Sequence, residues 1–323
     1  MKKIFFLLSF FCVNAALANK IDSLKTDVEI LQFISQLYKI KYSSNNIIAF
    51  KKNDSINPFI VCNSIQQISS IKKWDKIDFN RDNKTDLFAI IYVSNDGNNE
   101  IGVYTPITII AKGNGNFDLI EIPGYFTLFC HTAKPIYIEK QPLILYHYIE
   151  TKYYYDSIYF SNPQEKFKDS IIQIEHTDTL IYKFDAFVEL NTKNGYSENV
   201  KSVIVERSPS FIGEGAYKLI IFKDRTANYI SDGGLNDNLV GNFRTKIKEK
   251  QFFEIFSLMN YLNITNLEDA YNVPATDFPT ITLKVYFDDG SMKEIRDYGE
   301  QGTMGLRKLY NLFSDLRINQ NWK

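Results

Sequence analysis

Asp78, Asn80, Asp82 and Asp86 place oxygen-bearing side chains at alternate positions of one short stretch, Asp78-Phe-Asn80-Arg-Asp82-Asn83-Lys84-Thr-Asp86. Side chains two residues apart in a tight loop can converge on one centre. Carboxylate and amide oxygens are what a hard cation such as Ca²⁺ takes, about 6–8 at a time. The Lys84 carbonyl would add a fourth ligand, and Asp86 would close the site through both oxygens. Water or a more distant acid such as Asp75 would complete the shell. Asn83 stands where such loops favour Gly, and Asn tolerates a left-handed backbone better than most residues. The twelfth position is Ala89 rather than Glu, and Leu87–Val93 is an apolar run of strand character, so the stretch is not an EF-hand. The competing expectation is a turn whose Asp and Asn side chains cap their own backbone. We expect a calcium site that is structural, since no base or nucleophile accompanies the loop.

Other chemistry is sparse. The histidines are His131, His147 and His176, and none stands in a zinc spacing such as H-E-x-x-H. Cys130 adjoins His131, but a nucleophile and its base meet in space rather than along the chain. No G-x-S-x-G elbow is present. Gly113-Asn-Gly115 lacks the Lys-Ser/Thr end of a phosphate loop. The amides of Tyr298–Gly302, ahead of a helix, could receive an anion. These observations point away from an enzyme. The alternative kept open is a secreted hydrolase in which His131 or His147 shares a pocket with a carboxylate.

The elements that would carry these residues fall into two textures. Ile21 to Tyr42 has helical periodicity, with Val28, Leu31, Ile34, Leu37 and Tyr38 on one face. From Asn45 to Asn191 the chain becomes short apolar or alternating runs broken by Asn, Gly, Pro and Asp, the pattern of strands with long connections. A polar stretch around Asn191–Asn199 reads as a linker. Beyond it come strand Ser202–Glu206, a hairpin from Tyr217–Phe222 to Ala227–Ser231, and a helix over Lys246–Asn260. Then follow a hairpin from Thr280–Phe287 to Met292–Asp297, turning at Asp289-Gly290, and a last helix over Met304–Leu316. The expected fold is α+β. A β-rich domain with one leading helix spans 19–195, and a smaller α+β domain of two hairpin–helix units spans 200–323.

Two resemblances follow. The run "DFNRDNKTDLFAIIYV" resembles the calcium loop of FG-GAP and VCBS repeats, and "AKGNGNFDLI" is similar to the turn that often follows it. That resemblance implies metal roles for Asp78, Asn80, Asp82, Lys84 and Asp86. One copy is present, whereas a propeller needs about four blades or more, so a single β unit is implied. Separately, "ATDFPTITLKVYFDDGSMKEIRDYGEQGTMGLRKLYNLFSDL" resembles the C-terminal half of a bacterial family known only as domain of unknown function 6438. "VIVERSPSFIGEGAYKLIIFKDRTANYI" is similar to its opening strand and hairpin. That family often carries paired cysteines before the first hairpin. Ser208–Tyr217 has none, so any role implied for them is absent.

Composition bounds the setting. The chain has 323 residues, a formal net charge of −1 and 15% aromatic residues. Near-neutral charge argues against nucleic acid as the main partner, and aromatic content favours strands. Lys2 and Lys3, the apolar run Ile4–Val13 and Ala16-Leu17-Ala18 together read as a signal peptide, residues 1–18. Cleavage after Ala18 would send the chain to the periplasm or outside the cell. Cys12 is preceded by Phe10 and Phe11 where a lipoprotein signal wants small residues. No later stretch is apolar enough for a transmembrane helix. Cys62 and Cys130 could pair in an oxidising compartment or stand as separate buried thiols. The expected function is an exported, non-enzymatic binding or envelope-associated protein with a protein or glycan partner. An inhibitor-like protein-binding module is a further alternative.

Overall fold

The computed structural model describes residues 19–42, 47–50, 72–94, 102–122, 131–154, 170–192, 199–209, 215–234, 237–273 and 276–323. The signal segment, Cys62 and Cys130 lie outside the described residues. The chain divides into two compact units. One gathers described residues within Met1–Thr151 and Ile171–Tyr182, the other those within Lys152–Ser170 and Lys183–Lys323.

The first unit opens with α1 (Lys20–Ser23) and α2 (Asp27–Tyr42). The periodicity predicts one helix here, and the structure breaks it at Leu24-Lys25-Thr26. The reason is a capping box. Glu29 Oε2 accepts the Thr26 amide at 2.9 Å, and Thr26 Oγ1 accepts the Glu29 amide at 3.3 Å. Thr-x-x-Glu is the signature of a helix start. The restart also turns the packing face. Ile30, Phe33, Ile34 and Tyr38 are buried, whereas Val28 is 63% exposed.

Strands β1 (Ile47–Phe50), β2 (Trp74–Ile77), β3 (Asp86–Ser94), β4 (Gly102–Gly113) and β5 (Asn116–Glu121) form one antiparallel sheet, ordered β1-β3-β4-β5 with β2 also on β3. Leu87, Ala89, Ile91, Ile107 and Ile109 point to the helices and make one core with Ile21, Ile30, Phe33 and Ile34. Phe88, Thr108 and Ile110 are buried on the other face. There, β3 and β4 contact β6 (His131–Ile138), which runs antiparallel to β7 (Gln141–Tyr154), itself followed by β8 (Ser170–Lys183). Burial on both faces of β3 accounts for its nearly unbroken apolar sequence.

In the second unit, β9 (Ala186–Glu189) leads to β10 (Val200–Arg207), β11 (Tyr217–Phe222), β12 (Thr226–Gly234) and β13 (Asp237–Lys246). Helix α3 (Glu249–Leu262) and β14 (Ala270–Asn272) precede β15 (Thr280–Phe287), β16 (Met292–Tyr298) and α4 (Met304–Asn319). Seven of these strands form a sheet ordered β13-β12-β11-β10-β15-β16-β14. Alternation along β15 buries Ile281, Leu283, Val285 and Phe287. The expected α4 face is also buried: Leu306, Leu309, Tyr310, Phe313 and Leu316.

The two predicted hairpins flank β10 on either side and share a turn design. Asp224 Oδ1 accepts the Thr226 amide and hydroxyl at 2.9 and 2.6 Å, and Asp289 Oδ1 accepts those of Ser291 at 2.8 and 2.6 Å. The residue between is left-handed in both, Arg225 (φ 72°) and Gly290 (φ 90°). Such turns use Asp to bond the backbone two residues on. Strand β13 extends the expected hairpin. It sits at the sheet edge, and Lys323 continues the ladder beyond it through both backbone bonds to Arg244, at 2.8 and 3.0 Å.

Candidate functional site

The loop between β2 and β3 holds the five expected residues in sequence order, and it folds around its own oxygens. Asp78 Oδ1 accepts the Asp82 amide at 3.1 Å and Asp78 Oδ2 the Asn83 amide at 2.9 Å. Asn80 Oδ1 accepts the same Asp82 amide at 3.1 Å. Asp82 Oδ1 accepts the Lys84 amide at 2.9 Å, and the Lys84 ammonium lies 2.6 Å from Asp82 Oδ2. Partial burial works against Asp82, but the Lys84 ammonium and amide hold its carboxyl below the usual carboxylate range. Asn83 (φ 64°) is left-handed, as the Asn in place of Gly led us to expect, and so is Arg81 (φ 59°).

Asp86 is different in kind. It is fully buried, and its oxygens accept the Phe79 amide at 2.9 Å and the Ala111 amide at 2.8 Å. It therefore ties the loop to β4. Burial pushes its carboxyl up to about 6, more than the amides of Ala111 and Phe79 draw it down, and Asp78 and Asp82 add repulsion. Gly113 (φ +89°) turns the end of β4 beside the loop, where a Cβ would lie 3.3 Å from Lys84 Cε.

The donor set suits a hard cation: three carboxylates, the Asn80 side-chain oxygen and the Lys84 carbonyl. Among the described residues, no group of three or more His, Cys, Asp or Glu side chains is arranged to hold a metal ion. As placed, the loop's oxygens face amides and Lys84.

The histidines do not converge. In the β6–β7 register, His131 faces Tyr148 and Thr132 faces His147. Successive residues of a strand project to opposite faces, so His131 and His147 lie on opposite sides of the sheet. His131 is buried, with Nδ1 3.1 Å from the Tyr146 hydroxyl. His147 Nδ1 lies 2.8 Å from Thr177 Oγ1. His176 stacks on Tyr148 at 4.8 Å. His131 and His147 therefore do not share one pocket.

The amides ahead of α4 are filled from within. Asp297, fully buried, accepts Gln301 N–H at 3.0 Å and Gly302 N–H at 2.8 Å. Burial raises its pKa despite those amides, Tyr310 and Arg307. Glu189 accepts the Met304 and Gly305 amides at 2.5 and 2.9 Å. Four amides available to an anion are thus taken by two carboxylates of the chain, which realises the helix-terminus preference internally. Sequence reasoning paired Glu189 with Asp185 and missed its role as a cap, because β9 was assigned to the first domain and lies over a hundred residues from its partner. The structure places it in the second unit, where Tyr261 also grips the segment: its hydroxyl accepts the Asn191 amide at 3.0 Å and donates to the Glu189 carbonyl at 3.1 Å. We expect Glu189→Ala to cost about 2 kcal/mol, the range for charge-assisted bonds at a helix start. Amide exchange should accelerate at Met304 and Gly305 while β10 and β15 keep their protection.

Residues 201–317 match the family described as domain of unknown function DUF6438. The DUF6438 match runs from the start of β10 to near the end of α4. It leaves out β9, whose Glu189 caps that last helix. No curated protein matches the chain. Among the described residues, no helix is long and apolar enough to cross a membrane.

Proposed function

We propose that the chain is an exported, non-enzymatic binding or envelope-associated protein whose first unit is stapled by Ca²⁺ at the Asp78–Asp86 loop. The observation that carries the metal reading is the loop itself. Asp78, Asn80 and Asp82 hold their oxygens on consecutive amides of one tight turn, with Arg81 and Asn83 left-handed. Each accepting oxygen keeps a second lone pair for a cation. Asp78, Asn80, Asp82, the Lys84 carbonyl and Asp86 would be the ligands, and the ion would supply charge neutralisation for the three carboxylates. Asp82 would exchange the Lys84 ammonium for the ion.

The binding reading draws on the second unit. Phe222, Ile230 and Met292 are 38%, 39% and 47% exposed and lie on the sheet face opposite the buried residues of their strands. They are spread over three strands, among the ion-paired side chains of Lys218, Glu206, Lys284 and Glu294 on the same face, and such a mixed surface suits contact with a protein partner.

Thermal melting of the mature protein in millimolar Ca²⁺ and in a chelator tests the metal. A ligand that binds only the native state raises stability with its excess over Kd, so the midpoint should rise by several degrees with Ca²⁺. Mg²⁺, which demands a tighter octahedral shell, should do less. Superimposable melts would end the calcium reading.

A further inference from the structure

Asn19 makes three bonds at once. Its side-chain oxygen accepts the Asp22 amide at 3.3 Å, and its own backbone N–H donates to Asp22 Oδ2 at 3.0 Å, which closes a capping box on α1. Its side-chain nitrogen donates to the Thr85 carbonyl at 2.8 Å. Thr85 sits between Lys84 and Asp86, at the end of the acidic loop. The turn is anchored twice more. Ile21 is fully buried in the core, and the Lys76 ammonium holds the Asp22 carbonyl at 2.9 Å. The backbone nitrogen of Asn19 is therefore fixed against a carboxylate, and its side chain against the loop.

We propose that the chain is cut before Asn19 and that the fold captures the amino group made there. The inference rests on the export reading and deepens it. Hydrolysis of the Ala18–Asn19 bond by a signal-type peptidase consumes one water. It leaves a carboxylate on Ala18 and an amine on Asn19, which takes up a proton. A neutral amide with one hydrogen thus becomes an ammonium group with three, beside Asp22. Hydrogen bonds between charged partners are shorter and about twice as strong as neutral ones. A cation at a helix start opposes the helix dipole, and Asp22, at the third position of α1, offsets it. Processing would in this way tighten the clamp that Asn19 places on Thr85, and the acidic loop would be held more firmly in the mature protein than in its precursor.

Two measurements decide this. The first is the mass of the N-terminal peptide of the exported protein, which should begin at Asn19. A different start overturns the inference. The second is the pKa of the new α-amino group, from the pH dependence of its acylation in the folded mature protein. It should lie above the ~7.7–8.0 of a free α-amino group. Acylation at pH 6.5 should be about threefold slower than in Asp22→Asn, a shift of about half a pKa unit. A raised folded pKa stabilises below the unfolded value, and that gain is lost as pH rises through the folded one. The mature protein should therefore lose stability between about pH 8 and pH 9 relative to a chain that retains Ala18. An Asn19 start with an unshifted amine would defeat the capture and leave the export reading standing.

Discussion

Asp86→Ala should destabilise the first unit by about 3 kcal/mol, with or without Ca²⁺. The substitution removes a fully buried carboxylate and orphans two amides, Phe79 N–H and Ala111 N–H. Each buried donor left without a partner costs about 1–3 kcal/mol. Asp86→Asn should fall between, because one amide oxygen can serve only one of the two donors well. The metal contributes separately. Asp78→Asn and Asp82→Asn keep most of the loop's own bonding and should lose the response to Ca²⁺ with a smaller change in the chelator. Chemical denaturation of each variant in both conditions separates the two roles. If Asp86→Ala were as stable as the parent in the chelator, the strut assigned to Asp86 would be wrong.

This division of labour shows what the sequence could carry. The spacing Asp78, Asn80, Asp82 marked a loop that wraps its own oxygens, because alternate positions of a tight turn converge. Spacing also offered Asp86 as a ligand, but gave no sign that it ties the loop to β4. Its partner Ala111 lies on β4, and that pairing is a product of strand register, which no local motif encodes. The α4 face was legible for the opposite reason. Leu306, Leu309, Tyr310, Phe313 and Leu316 repeat at helical steps, and burial followed. Strand β13 was hidden because an edge strand buries little, so Asp237–Lys246 carries no apolar alternation. The break between α1 and α2 was written as Thr26-Asp-Val-Glu29, a signal that an uninterrupted apolar periodicity overrode. The DUF6438 resemblance located the second domain but stopped short of Glu189. A cap supplied across more than a hundred residues leaves no trace in the motif that it completes.

Acid should act on the first unit chiefly through two groups of opposite sign, and His131 is the larger destabilising one; His147, which burial and Lys134 also hold down, adds to its arm. Burial pushes the His131 imidazole down to about 4, against a bond with the Tyr104 backbone that favours the charged ring. A histidine held neutral in the fold stabilises fully above its unfolded pKa of about 6.5, and that stability is lost as pH falls toward the folded value. The gap of about 2.5 units corresponds to about 3 kcal/mol between pH 6.5 and pH 4. Asp86 works the other way. Its folded pKa of about 6 exceeds the ordinary carboxylate value, so in the absence of metal the native state takes up its proton first and gains stability as pH falls from about 6 toward 4. In the chelator the two large arms nearly cancel, and the parent protein should therefore show only a shallow fall across this window. His131→Phe removes one arm, so its stability should rise on acidification by up to about 3 kcal/mol relative to neutral pH. Ca²⁺ should reverse the Asp86 arm by favouring the ionised loop, and the parent should then weaken steadily below pH 6. Denaturant midpoints at half-unit pH steps, for both chains in both conditions, would resolve all four curves. A His131→Phe profile that parallels the parent would show that the imidazole is not held neutral by the fold.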